Sequence, residues 1–141
     1  MKPLDSFLEV YEKLDAENLH LLDHLYSDDI SFIDPAHKIE GLAALKKYFF
    51  ELYQNVSSIN FSFYHHQQQD NNAYIQWQMN LRHPRLNRNQ EIIVPGISYL
   101  HYNQLGKVSL HRDYFDLGAM LYEQLPLLGS IIKAVKRRLG Q

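Results

Sequence analysis

The sequence predicts an α+β protein: an antiparallel β-sheet covered by three N-terminal helices and followed by a C-terminal helical segment. Two observations carry this prediction. Apolar residues recur every three or four positions in residues 4–26 and 42–52, as on one face of a helix, and at every second position in most of the stretch from Phe61 to Phe115, as on one face of a strand. Polar stretches, "QQQDNN", "PRLNRNQ" and "NQLGK", separate the strand-like runs at hairpin spacing. A sheet with one apolar face needs a cover, which the helices can supply.

Pro3 suits a first helical turn, and Leu4, Phe7, Leu8, Tyr11 and Leu14 give the first helix its apolar stripe. Asp15 and Asn18 are available as caps, and Leu19, Leu22, Leu25 and Tyr26 predict a second helix reaching "SDD". "ISFID" is a short β-rich run closed by Pro35, which has no N–H for a ladder. Leu42, Leu45, Tyr48, Phe49 and Leu52 mark a third helix ending near Asn55. The cleanest alternation is in "AYIQWQMNLRH", with Ile75, Trp77, Met79 and Leu81 on one face. "EIIVPGISYLHY" predicts a strand with a bulge or bend at Pro95-Gly96, and "VSLHRDYFD" is the last strand. From Leu117 to Leu139 an apolar-rich segment broken at Pro126 and Gly129 reads as two short helices.

The chain has 141 residues, 45% of them hydrophobic and 21% charged, which suits one domain spanning 1–141, with 117–139 as a helical extension of it. Cysteine is absent, which excludes disulfides, thiolate metal sites and thiol nucleophiles. His20 and His24 have the spacing of helical zinc ligands, but no glutamate or third ligand accompanies them, and no metal is expected. No glycine-rich phosphate loop is present, and neither a nucleic acid nor a bound cofactor is expected. No signal-like or membrane-spanning stretch stands out, so the cytoplasm is the expected compartment. Lys133, Lys136, Arg137 and Arg138 follow the last acid, Glu123, so a basic tail ends an acidic body. Leu121, Leu125, Leu128, Ile132, Val135 and Leu139 run at helical spacing beside it, which fits packing on the domain, covering a pocket, a dimer contact or an anionic membrane surface.

The order helix–helix–strand–helix and then four strands, with "LYSDDISFIDP" at the joint, resembles the nuclear-transport-factor-two-like superfamily and, within it, the SnoaL-like group. The resemblance implies a strongly curved sheet around a cone-shaped cavity, frequent dimerisation, and chemistry inside the cone. "LYSDDISFIDP" is similar to the ketosteroid isomerase segment that carries a catalytic aspartate before a proline, which by that match is Asp34. The isomerase oxyanion donors fall out of register: ungapped counting puts the tyrosine at Val10, beside Tyr11, and the acid at Ser98. "LHRDYFD" is closer to the SnoaL-like polyketide cyclases, whose acid/base aspartate on the last strand corresponds to Asp113.

Strand parity puts His111, Asp113 and Phe115 on one face of the last strand and Arg112, Tyr114 and Asp116 on the other. The resemblance turns the first set inward, beside Trp77, Met79 and His83. The candidate catalytic residues are therefore Asp34, His37, His111 and Asp113, and the candidate binding residues Tyr11, Trp77, Met79, His83, Ser98 and Phe115. Carboxylates and imidazoles on an apolar wall suit proton transfer: isomerisation, cyclisation, dehydration or epoxide hydrolysis of a small apolar or cyclic carbonyl compound. Plainer readings stand beside this one. Asp34 before Pro35 is ordinary turn chemistry, and His111 with Asp113 can be a buried structural pair. The alternative to an enzyme is a non-catalytic ligand-binding or protein-interaction module, membrane-peripheral through the basic tail.

Overall fold

The computed structural model describes residues 3–140, apart from the side chains of Tyr122, Pro126 and Leu127. Helix α1 (Pro3–Lys13) buries Leu4, Phe7 and Val10. Asn18 closes its end: the side-chain amide donates to the Lys13 carbonyl at 2.6 Å, and its oxygen accepts from the Asp15 N–H at 2.7 Å. A last-turn carbonyl without a helical partner is thereby satisfied. Asn18 makes no side-chain cap on the element that follows. That element, the expected second helix, is a single 3-10 run over Leu19–His24, and Tyr26 already belongs to strand β1 (Tyr26–Ile33). The apolar spacing serves two elements, Leu22 in the 3-10 run and Tyr26, Ile30 and Phe32 on one face of the strand. The third expected helix is α2 (Leu42–Asn55), which buries Leu42, Leu45 and Phe49. The cover is therefore two α-helices and a 3-10 turn.

The remaining strands are β2 (Lys38–Glu40), β3 (Ser58–Gln69), β4 (Asn72–Arg82), β5 (Ile92–Tyr102) and β6 (Val108–Phe115). Their order in the six-stranded sheet is β2-β1-β6-β5-β4-β3. Strands β3 to β6 are antiparallel neighbours, but β1 lies parallel to β6, so the sheet is mixed rather than wholly antiparallel. Short β2, too brief to show a period, folds back on β1 through the turn at Asp34–His37.

Register shifts at Phe63/His66 and His101/Tyr102 interrupt the ladders and help curve the sheet. The expected irregularity at Pro95-Gly96 does not occur, because the β4–β5 ladder runs unbroken from Asn72↔His101 to Leu81↔Ile92. Gly96 has another role: a Cβ there would lie 2.3 Å from the Trp77 indole, so only glycine leaves room for the ring.

Beyond β6 come α3 (Leu117–Met120), a 3-10 turn (Tyr122–Gln124) and α4 (Pro126–Leu139). Pro126 opens α4, but Gly129 lies inside it and does not break it. A Cβ on Gly129 would sit 2.4 Å from the Glu123 carbonyl oxygen, so this glycine lets the helix close on the preceding turn. Lys136 fastens the contact by pairing with Asp116 and, at 2.7 Å, with Glu123. Among the described residues no helix is long and apolar enough to cross a membrane.

Candidate functional site

Residues of α1, α2, β1 and β3 to β6, with Met120, Leu121 and Leu125, line a cavity of about 680 Å³. Alternation along β6 decides what enters it: His111, Asp113 and Phe115 line the cavity, while Tyr114 is 53% exposed with Arg112 over its ring. Inward parity on β6 is therefore the one that the resemblance implies. All ten candidate residues line this cavity, but they form separate groups.

The floor is one line of hydrogen bonds. Trp77 Nε1 donates to Ser98 Oγ at 2.8 Å, and Ser98 donates to Asp113 Oδ1, its direct neighbour across the β5–β6 ladder. His111 Nε2 meets the same Oδ1 at 2.6 Å, and its Nδ1 lies 2.7 Å from the Tyr26 hydroxyl. Tyr26 in turn meets the Tyr11 hydroxyl at 2.5 Å. Packing fixes the imidazole: Phe32 is 4.7 Å away between ring centroids, and the Tyr26 ring is stacked on it.

An ionised carboxylate only accepts, which orients the whole line. With Asp113 ionised, His111 carries a proton on Nε2 and Ser98 points its hydroxyl at Oδ1. A neutral His111 then accepts from Tyr26, and Tyr26 from Tyr11. Among the described residues no protein group bonds Asp113 Oδ2, and it is not a buried atom lacking a partner. With the side chain 16% exposed while His111 is only 3% exposed, Oδ2 is the part of the line left open to the cavity. Burial pushes the Tyr11 and Tyr26 hydroxyls well above the ordinary phenol range, so both stay protonated and can relay hydrogen bonds.

The second group sits in the β1–β2 turn. Asp34 Oδ1 accepts from the Ala36 N–H at 2.8 Å and the His37 N–H at 2.7 Å, and the His37 ring nitrogen Nδ1 lies 3.1 Å away. The plainer reading of Asp34 as a turn residue is thus met, although its side chain also lines the cavity. The Tyr48 hydroxyl stands 3.5 Å from Asp34 Oδ2. Burial raises the Tyr48 hydroxyl pKa, and the Asp34 and Asp113 carboxylates add to it, so Tyr48 lies within electrostatic reach of both. No hydrogen bond joins the turn group to the floor among the described residues.

Met79 and Phe115 supply apolar wall, and the His83 Nδ1 accepts the Arg85 N–H at 3.1 Å. The sequence reading missed Tyr26 and Tyr48. Even spacing of Tyr26 with Ile30 and Phe32 was the available signal, hidden by the polar residues 27–29 between them. His20 and His24 lie on a 3-10 run, where the i,i+4 face of an α-helix does not apply.

The family model described as a SnoaL-like domain matches residues 7–111, which hold α2, the cavity-lining Phe7 and Tyr11 of α1 and all of the floor except Asp113. The chain belongs to the SnoaL-like domain family. Comparison with curated protein sequences finds no match. The SnoaL-like fold is similar to that of a candidate SnoaL-like polyketide cyclase from Jannaschia sp. CCS1, with a TM-score of 0.73 at 13% identity over 84% of this chain and 88% of that one. It is similar to a protein with a ketosteroid isomerase-like fold from Catenulispora acidiphila, in complex with trimethylamine, at a TM-score of 0.73 and 12% identity over 88% and 93%. TerC, co-crystallised with polyporic acid, is similar at 0.72 and 12% over 84% and 94%. At these identities the likeness carries the fold alone.

Proposed function

We propose that this SnoaL-like protein binds an apolar cyclic carbonyl compound in its cavity and moves a proton on it without a cofactor, with Asp113 as the acid/base. One observation carries the reading: Asp113 Oδ1 is engaged by Ser98 and His111, while Oδ2 is left to the cavity. A carboxylate held on one oxygen is aimed with the other, which is what a general base requires. Oδ2 takes a proton from the carbon beside the carbonyl, and the electron pair moves onto the carbonyl oxygen to form an enolate. A donor for that oxygen comes from the same line of hydrogen bonds. When His111 has taken a second ring proton from solvent before the ligand binds, Nδ1–H donates to Tyr26 and Tyr26 to Tyr11, which frees the Tyr11 hydroxyl to donate to the enolate. Trp77, Met79 and Phe115 grip the apolar body. Asp34 and His37 shape the turn beside the ligand rather than take its proton. TerC, similar in fold, was co-crystallised with polyporic acid, which is in keeping with a small organic ligand for this fold.

The same proposal includes a homodimer. Tyr74, Ile93, Ile97 and Tyr114 are about half exposed on the outer sheet face, an apolar area that a second copy would cover. Ile97→Asp should then give monomers in sedimentation analysis.

Deuterium incorporation into 2-tetralone, an enolisable bicyclic ketone, tests the proton transfer by NMR in D2O. Wild type should exceed buffer, and Asp113→Asn should lose about 100-fold or more of that excess. If wild type matches buffer, or Asp113→Asn matches wild type, the enzymatic assignment falls and a ligand carrier replaces it.

A further inference from the structure

Helix α4 is two-sided in a way that its own domain does not use. Gly129, Ile132 and Lys136, spaced by three and four, face the preceding segment: Gly129 against Glu123, Ile132 within 3.7 Å of a Cβ on Gly118, and Lys136 on Asp116 and Glu123. The adjoining stripe, also spaced by three and four, is Leu128, Ile131, Val135 and Leu139. These side chains are 39%, 52%, 50% and 81% exposed, so the stripe is uncovered along the whole helix. Lys133, Arg137 and Arg138 share the rest of the exposed surface with Ser130, and among the described residues none of the three cations has an ion-pair partner. The helix holds no acid.

We infer that α4 lies on an anionic lipid bilayer, with the stripe between the acyl chains and the three cations among the headgroups. An apolar stripe joined to a cationic face is the pattern that partitions into a charged interface, because burial and Coulomb attraction act together. Charge decides against a second copy as the occupant. Stripe-to-stripe pairing of two helices would offer these cations no anion, since neither helix holds an acid, whereas anionic headgroups neutralise them. The docked helix also continues a wall of the cavity, since Met120, Leu121 and Leu125 line it just before α4 begins. A lipophilic ligand leaving the bilayer would meet that wall first.

Flotation of the full chain with vesicles of phosphatidylcholine, alone or mixed with phosphatidylglycerol, tests the inference. Binding to the mixed vesicles should be at least about tenfold stronger and weaken in high salt. Ile131→Asp with Val135→Asp should abolish it, and Lys133→Gln with Arg137→Gln and Arg138→Gln should reduce it to the level on phosphatidylcholine. All five positions are exposed, so circular dichroism should show unchanged melting for both variants. Absence of flotation with the mixed vesicles, or flotation that both variants retain, overturns the inference. Self-association that the aspartate variant abolishes, without vesicle binding, would assign the stripe to a second copy instead.

Discussion

Asp34 and Asp113 each have a histidine two or three residues away and each line the same cavity, yet their surroundings leave them different things to do. Asp34 is held mainly by its own turn: backbone N–H groups two and three residues on meet Oδ1, the His37 ring lies 3.1 and 3.3 Å from its two oxygens, and the Tyr48 hydroxyl stands 3.5 Å from Oδ2. Asp113 is held across the sheet, by Ser98 on β5 and by His111, two residues back on β6, which Tyr26 on β1 holds in turn. Local bonds make a turn. Bonds from neighbouring strands make an aimed carboxylate, because they fix one oxygen from the side and leave the other facing the cavity. The lesson is that the role of an acid follows from which of its lone pairs the fold leaves open, and residue type and position do not reveal that.

The largest expected effect separates the two aspartates directly. If tetralone exchange falls about 100-fold or more in Asp113→Asn, Asp34→Asn should fall no more than about tenfold. Equal losses would erase the distinction. Next in size is Gly96→Ala, which forces the Trp77 ring from its place and loosens the Trp77–Ser98 support of Asp113. Overpacking of this kind should cost about 1–3 kcal/mol in urea unfolding. The fluorescence of Trp77, the single tryptophan, should shift with it. Unchanged stability and emission would mean that the floor tolerates a displaced indole. Asp34→Ala removes the acceptor of the turn and should cost about 1 kcal/mol in the same assay, with the cavity floor intact. A larger loss would show that Asp34 supports more than its own turn.

The smallest effect is a control remote from both aspartates. The Lys136 hydrogen bond, helped by the Ala119 N–H, holds the Asp116 carboxyl below its usual range, and Asp116 with Glu123 holds the Lys136 amine above its own. A lowered acid stabilises the fold above its unfolded pKa of about 3.9 and loses that contribution as pH falls through the folded value. A raised amine contributes fully below about 10.4 and loses that as pH rises through its folded value. Between these limits α4 should keep its contact with the 3-10 turn. Below the acid limit, pH-corrected amide protection in α4 should drop before that of β4 and β5, and simultaneous loss would show that α4 is not an independent unit.

Much of this protein was determined by sequence alone because it depends on short-range periodicity. Period two put Trp77 and Met79 on one face of β4 and His111, Asp113 and Phe115 on one face of β6, the family resemblance turned those faces inward, and spacings of three and four marked α1, α2 and a stripe in α4 that took in Ile132, which packs on Gly118, in place of the exposed Ile131. Parity is a property of neighbouring backbone units, so it survives without tertiary information. Only the tertiary structure decided that β1 runs parallel to β6, a pairing that brings Tyr26 to His111 across 85 residues of chain and orients the floor. It also made Tyr26 a strand residue rather than a helical one, turned Gly96 from an expected bend into a seat for an indole, and left Asp113 rather than Asp34 with a free oxygen. Each of these depends on a partner distant in sequence, and the partner's approach is set by packing that no local spacing encodes.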